Sequence, residues 1–296
     1  MRGPIHPARM AALAGLLLLP ALAWGLTRHL PAWMAMWAVA ASEFVALKFV
    51  TLAWATGPRF AAGRTLAYVA LWPGMDAAAF LGKRAEPVAA PGGRELGFAL
   101  LKLGGGLAAG AWAVRHAETA PPLLVGWVGM LGIIFTLHFG FLHVASWAWR
   151  RAGVEAPPIM RAPIAAESLG DFWGGRWNKA FADAARRLLF RPTVRRLGVT
   201  GAGALVFLVS GLVHETVVSL PARGGWGGPT LYFLLQGAGM GLEKSALGRR
   251  LGLGAGARGW LWMALCTAAP LPLLFHGPFV HRVIVPLFTD LNHLLP

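Results

Sequence analysis

An all-α polytopic membrane protein is the fold class this sequence predicts, and three observations predict it. Of its 296 residues, 56% are hydrophobic and 13% are charged, about half the charge density of a soluble domain. Long apolar runs recur from residue 10 to residue 276. The basic residues lie between those runs instead of covering one soluble face. Disorder, a disulfide scaffold and a typical water-soluble enzyme are excluded by that composition. The single cysteine, Cys266, excludes an intrachain disulfide and a Cys-based zinc site. A net charge of +15 would suit a nucleic-acid partner. Basic loops alternating with apolar spans are instead what positive-inside insertion and anionic lipid require, so no nucleic acid is expected.

A spanning helix needs about 20 mostly apolar residues. In chain order the candidates are Met10–Leu26, Ala32–Thr56, Leu96–Val114, Pro122–Trp149, Val199–Val218, Thr230–Leu242 with its flanks, and Trp260–His276. The stretch Leu66–Phe80 is interrupted by Trp72-Pro73-Gly74-Met75-Asp76, which breaks a helix at mid-depth. It reads as re-entrant or interfacial. Phe279–Phe288 is too short to span unless its neighbours extend it. The expectation is about seven to eight transmembrane helices plus re-entrant or interfacial ones, in one membrane-embedded domain over 1–296.

Seven spans with the N-terminus inside satisfy the charge bias. The inner segments then hold Arg2, Arg9, Arg59, Arg64, Lys83, Arg84 and Arg94, the basic loop 150–198, and Lys244, Arg249, Arg250 and Arg258. The other side receives Arg28, Arg115, Arg223 and Arg282. Counting Leu66–Phe80 as a full span would put the 150–198 loop outside, against the bias. The first span also has the form of a secretory signal, with Arg2 and Arg9 before Leu16–Leu19 and Ala21-Leu22-Ala23. Cleaved or retained, it leaves the later topology unchanged, and an uncleaved span is the favoured reading. Arg outnumbers Lys 22 to 5 in an Ala- and Gly-rich chain, which points to a bacterial inner membrane. Trp33, Trp147, Trp149, Trp226 and Trp260 suit an interfacial belt. Gly106 with Gly110, and Gly237 with Gly241, allow close backbone approach. That serves packing within one bundle or dimerisation; the sequence does not fix the oligomeric state.

Ionisable groups inside spans are the functional pointers, because they are costly there. Glu43 and Lys48 in the second span are placed to neutralise one another. His138 and His143 in the fourth are five residues apart, about 140° around a regular helix. Metal-binding pairs usually stand four apart, so interhelical hydrogen bonds or a cavity lining fit these two better, and no metal site is expected. Ser210-Gly211-Leu212-Val213-His214-Glu215 interrupts an otherwise apolar helix. Ser210 lies one turn before His214 on the same face, and Gly211 leaves room for a substrate or a backbone. A neutral imidazole costs less in a dry site than a charged group. A Ser210–His214 nucleophile–base pair would need an orienting acid, and none is apparent.

A second segment runs Ser168-Leu169-Gly170-Asp171-Phe172-Trp173-Gly174-Gly175-Arg176-Trp177-Asn178 and continues through Lys179–Arg196. Ser168 and Asp171 have capping-box spacing. Trp173, Trp177 and Phe181 repeat every four residues beside Arg176, Lys179, Arg186, Arg187 and Arg191. The pattern reads as an amphipathic helix at the cytoplasmic interface, in contact with membrane lipid.

Together, Glu167–Asn178 and Ser210–Glu215 resemble the membrane-bound O-acyltransferase superfamily, most closely its wax-synthase branch. Members of that branch carry S-L-x-D-F-W-G-R-R-W-N followed by S-G-x-x-H-E. Gly175 departs from the pattern, standing where the branch has Arg. The resemblance covers residues 165–245, with a weaker echo at Trp72–Asp76. It implies transfer of a fatty acyl group from acyl-CoA, a co-substrate and not a bound cofactor, to the hydroxyl of a long-chain alcohol or sterol-like lipid, inside a membrane tunnel. By motif position His214 would be the general base and Asn178 its characteristic asparagine partner. Arg176, Lys179, Arg186 and Arg187 would meet the CoA phosphates. Asp171, Trp173, Trp177, Ser210, Gly211 and Glu215 would line the substrate path. A glycan or other hydroxyl acceptor remains an alternative, as does a membrane transporter using the same intramembrane polar groups.

Overall fold

The computed structural model describes residues 7–55, 60–82 and 88–294. Arg2, Arg59, Lys83 and Arg84 of the charge map lie outside the described residues. Every regular element among the described residues is helical, so the all-α membrane class is borne out. Five helices are long and apolar enough to cross a membrane, and a sixth span results if one bent pair is counted together. The chain forms two compact units, Met1–Gly110 with Leu131–Pro158, and Ala111–Met130 with Ile159–Pro296.

In the first unit α1 (Pro7–Thr27) and α2 (Ala32–Trp54) pack as a hairpin. The guanidinium of Arg9 closes it by bonding the Ala53 carbonyl (3.2 Å) and lying 5.2 Å from the Trp54 ring centroid. No α1 residue is buried, and Leu17 is 78% exposed, which suits a helix that meets lipid on most of its surface. Next come α3 (Ala62–Leu71) and α4 (Ala77–Leu81), at ten and five residues too short to span. The Trp72–Asp76 break between them meets Lys48 through Gly74. That side chain is fully buried, donates to the Gly74 carbonyl and lies 3.7 Å from the Tyr68 ring centroid. Lys48 is therefore held by a carbonyl and an aromatic face instead of Glu43; five helical steps turn the two α2 residues about 140° apart.

The helices α5 (Gly93–Arg115) and α6 (Pro122–Arg151) follow. A Cβ at Gly106 would lie 2.3 Å from the Thr136 nitrogen, and one at Gly132 would lie 2.7 Å from the Gly110 nitrogen. Gly106, Gly110 and Gly132 thus serve packing within the chain. α6 contains a π-helical turn, Phe135–Phe141, around His138. Its wider i→i+5 winding reduces the angle between His138 and His143 below that of a regular helix. His143 accepts from Lys102 Nζ (2.7 Å) and bonds Glu95 (2.9 Å), which also pairs with Arg150. The interhelical role expected for His143 is realised.

In the second unit a helical turn, Leu169–Asp171, runs into a π turn, Phe172–Arg176. A 44-residue stretch, α7 (Lys179–Ala222), follows. It is broken at Gly198, whose φ of 67° and ψ of 177° only glycine adopts without strain. The break marks where the basic segment ends and the expected span, Val199–Val218, begins. After α7 come α8 (Gly228–Lys244) and the short α9 (Ala246–Leu251), then α10 (Gly256–Leu274), which meets α11 (Gly277–Leu294) at 62°. The expected span at Thr230–Leu242 is α8. Its 17 residues rise about 25 Å, short of a hydrocarbon core of about 30 Å. That shortfall, together with the α10–α11 bend, accounts for a span count below seven.

Candidate active site

Both sequence motifs fall in the second unit, and α8 joins them. Gly211 makes the first junction possible, since a Cβ there would lie 2.7 Å from the Thr230 Cα. A larger residue would push α7 away from α8. Four residues on, Glu215 is 8% exposed and its Oε1 accepts from the Gly227 nitrogen (3.0 Å), the Thr230 nitrogen (3.1 Å) and Thr230 Oγ1 (2.9 Å). The α8 N-terminus has unpaired backbone donors and Gly227 has no side chain to cap them, so a carboxylate from α7 does so. A π turn, Glu215–Ser219, turns the chain for that contact.

At the other end of α8 a second buried carboxylate, Glu243, accepts from Leu169 N (2.7 Å) and Gly170 N (3.4 Å). It thereby holds the start of the Ser168–Asn178 segment. Midway between the two carboxylates, Gln236 is fully buried. Its Oε1 accepts from Trp173 Nε1 (3.2 Å), and its Nε2 donates to the Cys266 carbonyl (2.7 Å). Trp173 packs its ring against Phe207 and Phe233, with centroids 6.1 and 5.7 Å away. Phe233 in turn lies 4.4 Å from the His214 ring. The two motifs therefore meet through Trp173 and Phe233.

His214 is half-buried, and its Nδ1 stands 2.7 Å from the Ser210 carbonyl. A carbonyl only accepts, so Nδ1 carries the proton and Nε2 presents its lone pair. No described residue occupies Nε2. Ser210 spends its hydroxyl on the Val206 carbonyl (2.8 Å), so a Ser210 nucleophile activated by His214 is not what this helix builds. The serine contributes its backbone oxygen, which sets the imidazole tautomer.

Asn178, two residues past the π turn, caps the next helix in a left-handed conformation (φ 39°, ψ 62°) that asparagine tolerates better than most residues. Its Oδ1 caps the Lys179 helix by accepting from Phe181 N (3.5 Å), and its own backbone N–H points to Met160 Sδ (3.2 Å). The two Nδ2 donors have no partner among the described residues. Among the described contacts none joins Asn178 to His214 directly.

The expected continuous amphipathic helix is interrupted. Trp177 leaves the helix at ψ 126° and stacks on Phe172 at 5.4 Å. Trp173, Trp177 and Phe181 therefore form no single stripe, because the π turn and the left-handed Asn178 reset the phase. The capping box is half formed: Ser168 Oγ accepts from Asp171 N (2.9 Å), while the Asp171 carboxylate pairs with Arg176 Nε (2.6 Å). A Cβ at Gly175 would lie 2.9 Å from Asp171 Oδ1, so the glycine leaves that carboxylate its place. Lys179 bonds Asp183 (2.9 Å) and the Gly174 carbonyl (2.9 Å). Arg186 and Arg187 are exposed.

Sequence reasoning missed Phe233, Gln236 and Glu243. The available signal was the lone amide in an apolar run and the acid at its end. An open apolar groove of about 520 Å³ lies on another face of α8, lined by Leu235, Ala238, Gly239, Leu242, Trp262 and Cys266.

Residues 156–235 match the model of the membrane bound O-acyl transferase family. Among curated proteins, a long-chain-alcohol O-fatty-acyltransferase of Simmondsia chinensis is 38% identical over 29% of this chain and 27% of its own length. A probable long-chain-alcohol O-fatty-acyltransferase 3 of Arabidopsis thaliana is 32% identical over 46% of this chain and 44% of its own. The acyl-CoA–sterol O-acyltransferase 1 of the same plant is 28% identical over 36% and 32%. The matches thus span less than half the length of these relatives. The segment that holds both motifs is accordingly similar to the membrane-bound O-acyltransferases, on their wax-synthase-like side.

Proposed function

We propose that the chain is a membrane-embedded O-acyltransferase that moves a fatty acyl group from acyl-CoA to the hydroxyl of a long-chain alcohol or sterol-like lipid, with residues 165–245 as its catalytic region. The observation that carries this reading is the His214 tautomer: Nδ1 is tied to the Ser210 carbonyl, and Nε2 is left as a base. Nε2 takes the proton of the alcohol while the alcohol oxygen attacks the thioester carbonyl carbon. The carbonyl oxygen becomes an oxyanion, and the Asn178 amide donors supply its hydrogen bonds. Collapse breaks the C–S bond, and the leaving thiolate recovers the proton from the imidazolium. Ester and CoA thiol are the products, and no acyl-enzyme forms. Placing a dilute lipid alcohol beside the thioester contributes up to about 7–11 kcal/mol of the acceleration.

The positions of the cations support a division of labour. Arg176 and Lys179 pair with Asp171 and Asp183 and so shape the segment, and the exposed side chains of Arg186 and Arg187 would meet the CoA phosphates. Asp171, Trp173, Trp177, Gly211 and Glu215 act by holding the segment and α7 against α8. The arginine-rich composition supports a bacterial inner membrane.

Purified protein supplied with acyl-CoA and a long-chain alcohol is expected to release CoA thiol in proportion to ester formed. His214→Ala should abolish both while the protein still inserts and elutes normally. Full turnover in that variant would overturn the assignment. Solute flux across proteoliposomes without acyl transfer would favour a transporter.

A further inference from the structure

Three buried side-chain polar atoms among the described residues have no hydrogen-bond partner, and one of them, Glu215 Oε2, lies in the His214 motif. The residue is more than nine-tenths buried, and its two oxygens differ: Oε1 takes three hydrogen bonds and Oε2 takes none. An anchor for the α8 N-terminus needs only the first oxygen. A buried carboxylate oxygen left without a donor is costly, so native structures seldom leave one bare.

No described donor reaches that oxygen. The Phe279 N–H is taken by His276 Nδ1, so His276 Nε2–H donates to Ser219 Oγ (3.2 Å), and Arg282 donates to the Ala222 and Arg223 carbonyls. The carboxylate is also close to the proposed base. Glu215 grips Thr230, and the His214 ring lies against Phe233. Those two α8 residues are three apart on one face, about 4.5 Å along the axis. The imidazole and the carboxylate thus contact neighbouring positions on one face of α8.

We propose that Glu215 Oε2 is a subsite for a hydrogen-bond donor carried by the acceptor lipid, so that the preferred acceptor has a second hydroxyl a few bonds from the one acylated. A carboxylate only accepts, and a hydroxyl is the donor a neutral lipid can bring into an apolar site. An ether or ester oxygen at that position would be repelled. The second hydroxyl changes no bond in the reaction. The inference rests on the acyl-transfer reading of His214.

The test compares hexadecane-1,2-diol with hexadecan-1-ol, using the purified full chain and a long-chain acyl-CoA. The wild type is expected to show kcat/KM about tenfold or more higher for the diol. Glu215→Gln keeps an oxygen for Gly227 and Thr230 but turns the other atom into a donor, and it should remove that preference. Thr230→Val weakens the anchor alone and should lower both rates with the ratio kept. Equal wild-type rates, a ratio unchanged by Glu215→Gln, or a ratio lost in Thr230→Val would each overturn the subsite. If Glu215→Gln does not fold, the wild-type ratio decides. Thermal shifts by diol and alkanol without acyl-CoA separate the two claims. Greater stabilisation by the diol, without acyl transfer, would keep the subsite and refute the transferase reading, and equal shifts without acyl transfer would refute both.

Discussion

Asn178→Asp separates catalysis from architecture at the residue where the two overlap most. Asn178 supplies a left-handed backbone (φ 39°) and a helix cap to Phe181 N at 3.5 Å, while its Nδ2 donors stay unbonded among the described residues. Aspartate tolerates the same backbone, retains a capping oxygen and adds a charge favourable at a helix N-terminus. Stability should therefore stay within about 0.5 kcal/mol of wild type. What is lost is the pair of N–H donors, now a second oxygen facing the developing oxyanion. Loss of one such donor typically costs about 10²–10³ in kcat, and the added repulsion places this variant at the upper end. Asn178→Ala gives the contrast: it forfeits the cap, at about 1 kcal/mol, and strains the left-handed position by about 1–2 kcal/mol. Turnover can be followed through alcohol-dependent release of CoA thiol, with Tm read on the same preparations. Retention of more than a third of kcat by Asn178→Asp at an unchanged Tm would refute the oxyanion role. A fall in Tm equal to that of Asn178→Ala would refute the reasoning about backbone and cap.

Two further outcomes follow from the same scaffold. Gly211→Ala must displace the Thr230 backbone from 2.7 Å, and should destabilise the protein by about 1–3 kcal/mol, read as a lower denaturation midpoint; an unchanged midpoint would show that α7 and α8 do not need that approach. Gln236→Leu leaves the Trp173 indole N–H buried without its acceptor, at about 1–3 kcal/mol. Trp173→Phe combined with Gln236→Leu removes both partners and should cost less than the sum of the single changes; strict additivity would show that the bond does not hold the tryptophan.

The membrane class and most span positions were legible because a hydrocarbon core demands long apolar runs wherever they occur. His214 was legible because a titratable side chain interrupts such a run, and the Trp72–Asp76 break was legible from Pro73 and Gly74. What escaped depends on neighbours that pattern does not encode. Lys48 looked paired with Glu43 by proximity in sequence, but its partners are a carbonyl and a ring from α3 and the turn after it. The aromatic repeat at 173, 177 and 181 presumes 100° per residue, which a π turn and a left-handed Asn178 do not deliver. Ser210 looked like a candidate nucleophile from its side chain, yet it contributes a backbone oxygen. Gln236 and Glu243 gain meaning only once α8 is seen lying along both motifs.

The match to the family model ends at residue 235, one position before the amide that grips Trp173 and eight before the acid that tethers Leu169. Anyone transplanting this chemistry into another scaffold, or trimming the chain to its familiar core, would cut away the brackets and keep only the tools. A working graft has to carry the rest of that short helix and the Cys266 carbonyl it leans on.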